Sequence, residues 1–381
     1  MPRLVRPATS LACLLALTCG ASFAQKGQLI SDAGDVKVVT LAEGLDHPWG
    51  VDVLPSGDLL VTERAGALRV LRLGDTTLSA PVAGAPAVFA EGQGGMLDVA
   101  LDPDFASNRY VYLSYAVAKP GGQATTALGR GTWTGERLEG FRQLFEMSPA
   151  LEGDKHFGAR IVFAPDGTLF LTLAERFRFE PAQDLTSHLG TVVRLNRDGS
   201  VPADNPFVGR GDSVRPEIYS YGHRNIEAAA FDPSTGELWV TEMGPMGGDE
   251  LNHVRAGANY GWPLVSWGQD YDGTDRPDPP TRPEFADAAL WWTPTISPSG
   301  MIFYTGEAFP AYRGSILIGG LTASGLVRVT LDGESAEEVE RLPLAARTRD
   351  VAQAPDGTLY VLTDADDGKV LHLRPYLPSD G

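Results

Sequence analysis

One arrangement of apolar and polar positions recurs along the chain. An apolar residue stands before a Pro or Gly turn, and a stretch of alternating apolar and polar side chains follows. It reads LPSGDLLVTE from Leu54, LDPDFASNRYVYLSY from Leu101, FAPDGTLFLTLAE from Phe163, FDPSTGELWVTE from Phe231 and QAPDGTLYVLTD from Gln353, with a degenerate sixth copy, FYTGEAFPAYRGSILIGG, from Phe303. A period of two beside Asp-Gly or Ser-Gly turns marks a hairpin in a half-buried antiparallel sheet. The copies stand roughly 45 to 70 residues apart. Six such units, with almost no long helical periodicity, predict an all-β fold, a six-bladed β-propeller of four-stranded antiparallel sheets. A two-sheet sandwich is the other way to pack such strands, but sandwiches do not usually repeat one hairpin at this spacing. One short helix is predicted, over residues 182–189, in a loop between strands.

In a propeller the loops of all blades converge on one axis, so residues far apart in sequence meet at one mouth. His156, in GDKHFGAR, lies a few residues before its blade's hairpin and is expected on an innermost strand or the loop before it. A lone histidine is more often a structural residue than a proton carrier. Glu175, which closes the strand pattern of the same blade, would hold the ring in one tautomer and raise its basicity. Arg224 and Asn225, in SYGHRN, occupy the equivalent place in the next blade, where they also read as a stabilised turn. Gly244 and Pro245 follow LWVTEM at a loop apex, where main-chain carbonyls can face a hard cation such as Ca²⁺, and Asp249, Glu250 and Tyr260 add oxygen ligands nearby. Acidic propeller loops are often simply solvated. Arg347 and Arg349, two apart in AARTRDVAQAPDG, share one face of a strand. Paired guanidiniums suit a carboxylate-bearing ligand; ion pairs within the fold are the alternative.

Composition narrows the setting. The first 24 residues carry Arg3 and Arg6, an apolar run from Leu11 to Leu17, and Ala21-Ser22-Phe23-Ala24 before Gln25, the layout of a cleavable secretory signal ending at Ala24. The run is too short for a membrane span, and Thr18 is a poor neighbour for lipidation at Cys19. Cys13 and Cys19 are the chain's two cysteines, and both fall in this segment. The mature chain would therefore lack disulfides, thiol nucleophiles and Cys-ligated metals. Losing Arg3 and Arg6 takes the net charge from −18 to about −20, which argues against nucleic acid and anionic membrane surfaces as partners. The chain's 44 glycines and 28 prolines are spread with no linker or low-complexity block, so one turn-rich domain over residues 25–381 is expected. A periplasmic or secreted location follows.

With GQGGMLDVALDPDF around Gln93, TEMGPMGGDELN and NYGWP, these segments resemble the soluble aldose sugar dehydrogenases that use pyrroloquinoline quinone, in the glucose and sorbosone dehydrogenase family. The resemblance runs from GLDHPWGVDVLPSGDLLVTER to VAQAPDGTLYVLTD, nearly the whole mature chain. It implies oxidation of an aldose at C1 to the lactone. His156 would be the general base for hydride transfer to the quinone, Glu175 its acidic partner, and Gln93 a residue beside base and substrate. It further implies quinone contacts from Arg224, Asn225, Thr295, Arg347 and Arg349. Gly244 and Pro245 match carbonyl ligands of a Ca²⁺ at the cofactor, and Glu250 and Tyr260 ligands of a second, structural Ca²⁺. Where relatives often place a Lys on a cofactor carboxylate, this chain has Thr322 in GGLTASG. The partners implied are an aldose and an unidentified electron acceptor, with the chain a monomer or homodimer. A calcium-dependent lactonase or esterase, and a non-catalytic carbohydrate- or protein-binding propeller, are the competing readings of the same blades.

Overall fold

Every one of the six recurring segments forms the turn and second strand of a separate sheet. The computed structural model describes residues 27–32, 34–273 and 280–380; the expected leader, with Cys13 and Cys19, lies outside them. Six antiparallel sheets form the blades, and their first strands, Pro48–Val53, Met96–Leu101, Gly158–Phe163, Ile226–Phe231, Pro298–Phe303 and Thr348–Gln353, lie side by side around a central channel. The sixth blade borrows from the other end of the chain. Its strand Gly368–Pro375 pairs with Val36–Leu45, from Val36↔Pro375 to Leu45↔Gly368, and this closes the ring. No blade is then left with an unpaired seam, the usual liability of an open sheet.

The second strands are more buried than a half-buried sheet requires. Leu59–Glu63, Leu169–Leu173, Leu238–Glu242, Ile316–Gly320 and Leu359–Thr363 are buried at every position. Both faces of a blade are covered by its neighbours, so the alternation sorts side chains between two cores. Leu59 and Val61 join Ala352, Leu362 and Val370 of the sixth blade, whereas Leu60 joins Val99 and Leu113 of the second. Burying each such side chain is worth about 1.5–3 kcal/mol.

The helix expected over residues 182–189 does not form. A 3₁₀ turn spans Glu180–Gln183, after which the side chain of Asp184 accepts the Thr186 amide and its carbonyl accepts the Ser187 hydroxyl. Local capture of this kind competes with helical hydrogen bonding. The one α-helix among the described residues is the four-residue Phe105–Asn108.

At the mouth end of every inner strand the register with the second strand slips by a bulge. Bulges re-aim side chains, and here the third residues of the inner strands, Gly50, Asp98, Arg160, Ala228, Gly300 and Asp350, stand at one level of the ring, where Asp98, Arg160 and Asp350 line the channel cavity. The glycines of that ring are steric necessities, since a Cβ on Gly300 would stand 1.7 Å from Asp350 Oδ1, and one on Gly50 2.9 Å from Asp98 Oδ1. Gly300→Ala is accordingly expected to destabilise the fold by about 1–3 kcal/mol, the usual range for overpacking. A urea unfolding midpoint equal to the native one would contradict a close-packed ring.

Candidate functional site

The acidic residue that closes or follows the second strand organises the mouth. In LLVTE, LFLTLAE, LWVTE and YVLTD it is Glu63, Glu175, Glu242 and Asp364. Each reaches back to the segment entering its own inner strand. Glu63 accepts the Asp46 amide at 2.8 Å, Glu175 meets the His156 ring, Glu242 accepts the Arg224 amide at 2.6 Å, and Asp364 pairs with Arg347 and Arg349. The shared strand-ending carboxylate is the signal that marks Glu242 and Asp364, neither of which stands out in the sequence by itself.

His156 lies in the loop before the inner strand Gly158–Phe163, with φ 53°. Its Nδ1 is 2.8 Å from Glu175 Oε1, and Glu175 Oε2 accepts the Arg178 amide at 2.6 Å. A carboxylate can only accept, so Nδ1 carries the proton and Nε2 keeps its lone pair. Burial pulls the imidazole below its ordinary pKa, and the hydrogen bond it donates to Glu175 opposes this in part. The ring is therefore a neutral base at pH 7. Gln93 fixes the same loop, its Oε1 accepting the His156 amide at 2.7 Å. Arg176, which sequence reasoning passed over, is buried and donates to the carbonyls of Lys155, Ala124 and Gly153, tying the Glu175 turn to the His156 loop. Gly158 lets those segments approach, since a Cβ there would lie 2.9 Å from the Ala174 amide nitrogen.

Arg224 and Asn225 stand immediately before the inner strand Ile226–Phe231. Arg224 is 2% exposed and donates to the carbonyls of Met243 and Gly244, each at 2.8 Å, and to the Tyr271 hydroxyl at 3.2 Å. Its Nε has no hydrogen-bond partner among the described residues, nor has Asn225 Oδ1 or Arg349 Nε. Buried polar atoms are rarely left unpaired, so three at one mouth mark a place for a polar ligand. An aromatic wall flanks it. Phe177 meets the His156 ring edge-on at 5.0 Å, Phe177 and Tyr271 are 6.3 Å apart, and the Arg224 guanidinium lies 5.2 Å from the Trp262 ring.

Arg347 and Arg349 converge on Asp364 Oδ2, at 3.1 and 3.0 Å, and Arg349 also reaches Glu227 Oε2 at 3.3 Å. Glu227 in turn accepts from Asn225 Nδ2 at 2.8 Å, so one buried carboxylate joins the Asn225 and Arg349 sides of the mouth. Thr295 and Thr322 are neighbours, the Thr322 hydroxyl donating to the Thr295 carbonyl at 2.9 Å. Thr322 brings no charge to its rim.

The cation candidates separate into two groups. Gly244 O already accepts from Arg224, and Asp249 accepts the Gly244 and Ser297 amides, at 2.9 and 2.7 Å, one on each oxygen. Burial raises the Asp249 pKa to about 6. Glu250 and Tyr260 line one cavity with Glu242, but the Tyr260 hydroxyl is spent on the His253 carbonyl and the Arg255 amide. Glu242 and Glu250 are bridged by the single amide of Asn252, at 2.9 and 3.1 Å, and Asn252 Oδ1 is buried without a partner. Burial, and then the charge of Glu242, push the Glu250 pKa well above its ordinary value. A buried carboxylate, Glu242, and a half-buried one, Glu250, beside an amide oxygen with no partner among the described residues suit a hard cation. Among the described residues no group of three or more His, Cys, Asp or Glu is arranged to hold a metal.

Residues 45–372 match the family model of glucose/sorbosone dehydrogenase. The chain is 40% identical over 349 residues to the aldose sugar dehydrogenase YliI of Escherichia coli, covering 89% of this chain and 93% of that one. It is similar to the crystal structure of the soluble aldose sugar dehydrogenase from Escherichia coli in its apo form, with TM-score 0.86, 40% identity and coverage of 90% of this chain and 100% of that one. It is also similar to the PQQ-bound form of aldose sugar dehydrogenase from Streptomyces coelicolor, with TM-score 0.74, 30% identity and coverage of 89% and 97%.

Proposed function

This chain belongs to the glucose/sorbosone dehydrogenase family and is an oxidoreductase, and we propose that it oxidises aldoses at C1 to the lactone with pyrroloquinoline quinone (PQQ) as its cofactor. The observation that carries the reading is the held imidazole of His156, facing a mouth where Arg224 Nε, Asn225 Oδ1 and Arg349 Nε are buried and unpaired. A planar cofactor bearing several carboxylates and quinone or ring N–H groups fits that set: the two guanidiniums donate to carboxylates through charge-assisted bonds, and Asn225 Oδ1 can only accept, from an N–H or O–H of the ligand. Arg224, Asn225, Thr295, Arg347 and Arg349 would hold it. When bound, the quinone supplies the two-electron acceptor, which no amino-acid side chain provides.

The chain's own part is proton and charge management. His156 Nε2 takes the proton of the anomeric hydroxyl as hydride leaves C1. Glu175, 2.8 Å from Nδ1, stabilises the imidazolium that results. Arg224 places a fixed positive charge at the mouth without reorganisation, the usual way a site lowers the energy of developing negative charge. The aromatic wall of Phe177, Tyr271 and Trp262 gives a sugar ring apolar faces to lie against. Two Ca²⁺ sites belong to this proposal. The Gly244 and Pro245 carbonyls would hold one; the Gly244 oxygen also accepts from Arg224. The other is structural, at Glu250 and Tyr260 with Glu242 beside them; there Tyr260 has its main-chain carbonyl to offer, its hydroxyl being engaged. The proposal includes a cleaved leader, residues 25–381 as one domain, and export. Among the described residues no helix is long and apolar enough to cross a membrane.

Reconstitution with PQQ and Ca²⁺ followed by an aldose should bleach the oxidised cofactor spectrum. No sugar-dependent bleaching across hexoses, pentoses and disaccharides would sink the assignment. Glu175→Gln tests the proton step. Because Glu175 raises the His156 pKa against the effect of burial, its loss should move the acid limb of kcat/KM to lower pH and slow turnover at pH 7 by roughly tenfold to a hundredfold. An unchanged pH profile would exclude the pairing from the mechanism. Thr322→Lys adds a cation on the Thr295 rim. It should tighten quinone binding about fivefold, as expected of a partly exposed ion pair, in an equilibrium titration of the apoprotein; equal or weaker affinity would remove Thr322 from the cofactor's surroundings.

A further inference from the structure

The candidate base and cofactor residues sit at the mouth, yet the most connected polar side chain of the channel lies one layer deeper. Arg160, third residue of its inner strand, is 5% exposed and lies across the axis. Its Nε donates to the Glu227 carbonyl at 2.7 Å, one terminal nitrogen meets Asp98 Oδ1 and Asp350 Oδ2 at 3.1 Å each, and the other donates to the Arg349 carbonyl at 3.2 Å. The guanidinium lies over the Trp49 ring at 4.1 Å. One side chain thus touches inner strands of the first, second, fourth and sixth blades from the third. On its far side is a cavity of about 250 Å³, lined by Asp52, Asp98, Asp350 and Gln353 among others.

Two of those contacts bear on the mouth. Glu227 and Arg349 are the second residues of their inner strands, one step nearer the site than Arg160. Their side chains meet each other, and Glu227 also orients Asn225. Arg160 holds the main-chain carbonyls of both. We propose that Arg160 is a positioning residue whose guanidinium, spanning the channel, fixes the Glu227 and Arg349 backbones and so sets the directions of Asn225 and Arg349 toward the cofactor. The proposal rests on the cofactor reading given above. It explains why the ring has glycine at positions 50 and 300: Asp98 and Asp350 need that space to flank the Arg160 fork. Lysine would keep the charge but not the geometry, since a single ammonium cannot present the planar fork that serves four partners.

Two variants separate positioning from charge balance. Arg160→Lys retains the cation. Arg160→Met combined with Asp98→Asn and Asp350→Asn removes the buried charges together, an exchange that is often neutral for stability, and each Asn keeps one oxygen for one of the two backbone amides its Asp served, Val99 and Ile161 at position 98, Val51 and Val351 at position 350. Expected in both is PQQ binding weakened at least tenfold, since small misplacement of binding groups is costly, and faster amide exchange in the apoprotein at residues 225–231 and 347–353, joined in the triple variant only by the amides of residues 51, 99 and 161 that the two Asp side chains held. The exchange measurement needs no quinone. Failure of the native chain to bind PQQ would overturn the proposed function, and exchange alone would then judge Arg160. Native exchange in those two segments, in either variant, would overturn the inference, as would a rise spread evenly over all blades, the mark of a purely structural residue.

Discussion

Replacing His156 by Gln is expected to lower sugar-dependent turnover by roughly 10²- to 10⁴-fold, the range in which a positioned general base contributes. The Gln amide can still donate to Glu175 Oε1, which now receives Nδ1–H at 2.8 Å, so the loop should keep its shape. What is lost is Nε2, the lone pair that takes the proton. Cofactor affinity should therefore stay near that of the native chain while kcat collapses. Turnover within a few-fold of native would remove His156 from the proton step. A parallel loss of cofactor binding would mean instead that the ring supports the quinone site. Because burial holds the imidazole below its ordinary pKa of 6.5, the native acid limb of kcat/KM should fall below that value.

The second large effect is expected at Arg224. Its guanidinium is almost wholly buried, holds the Met243 and Gly244 carbonyls and the Tyr271 hydroxyl, and leaves Nε unpaired at the mouth. Arg224→Leu keeps the apolar stem against Trp262 and deletes the charge. Truncating one partner of a buried charged pair costs about 2–5 kcal/mol, so PQQ affinity should fall by roughly 10²-fold or more. Titrating the apoprotein by absorbance measures it directly, and an affinity within threefold of native would separate Arg224 from the cofactor. The variant should remain folded, since Glu242 keeps its hold on the residue 224 amide and on His223.

The contrast between these residues and Glu227 shows what could be read along the chain. His156 and Arg224 each fall just before an alternating segment, and a repeat that places such segments around an axis brings them to one mouth. Glu227 sits inside IEAAAF, where nothing in the pattern distinguishes a carboxylate aimed across a channel from one facing solvent. Its role depends on a bulge that re-aims the side chain and on an arginine 122 residues away. Asp249 is the converse case. It reads as a cation ligand in an acidic loop, and only the folded chain shows that each of its oxygens also accepts a backbone amide, from Gly244 and from Ser297.

Local order was legible because it is set by local physics. The period of two, the Asp-Gly turns and the six recurrences determine hairpins, and hairpins at that spacing determine blades. The strand-ending acids Glu63, Glu175, Glu242 and Asp364 are part of the same repeat. Tertiary structure alone decided how the ring closes, which neighbour each alternating side chain faces, and which charges meet inside the channel. Val36–Leu45 pairs with a strand more than 300 residues away. Arg160 is an ordinary residue of GARIVF until the inner strands of four other blades meet its side chain. The physical reason is the same in both cases: hydrogen-bond and charge partners across a channel are fixed by the three-dimensional closure of the ring, and no sequence period encodes a distance across its axis.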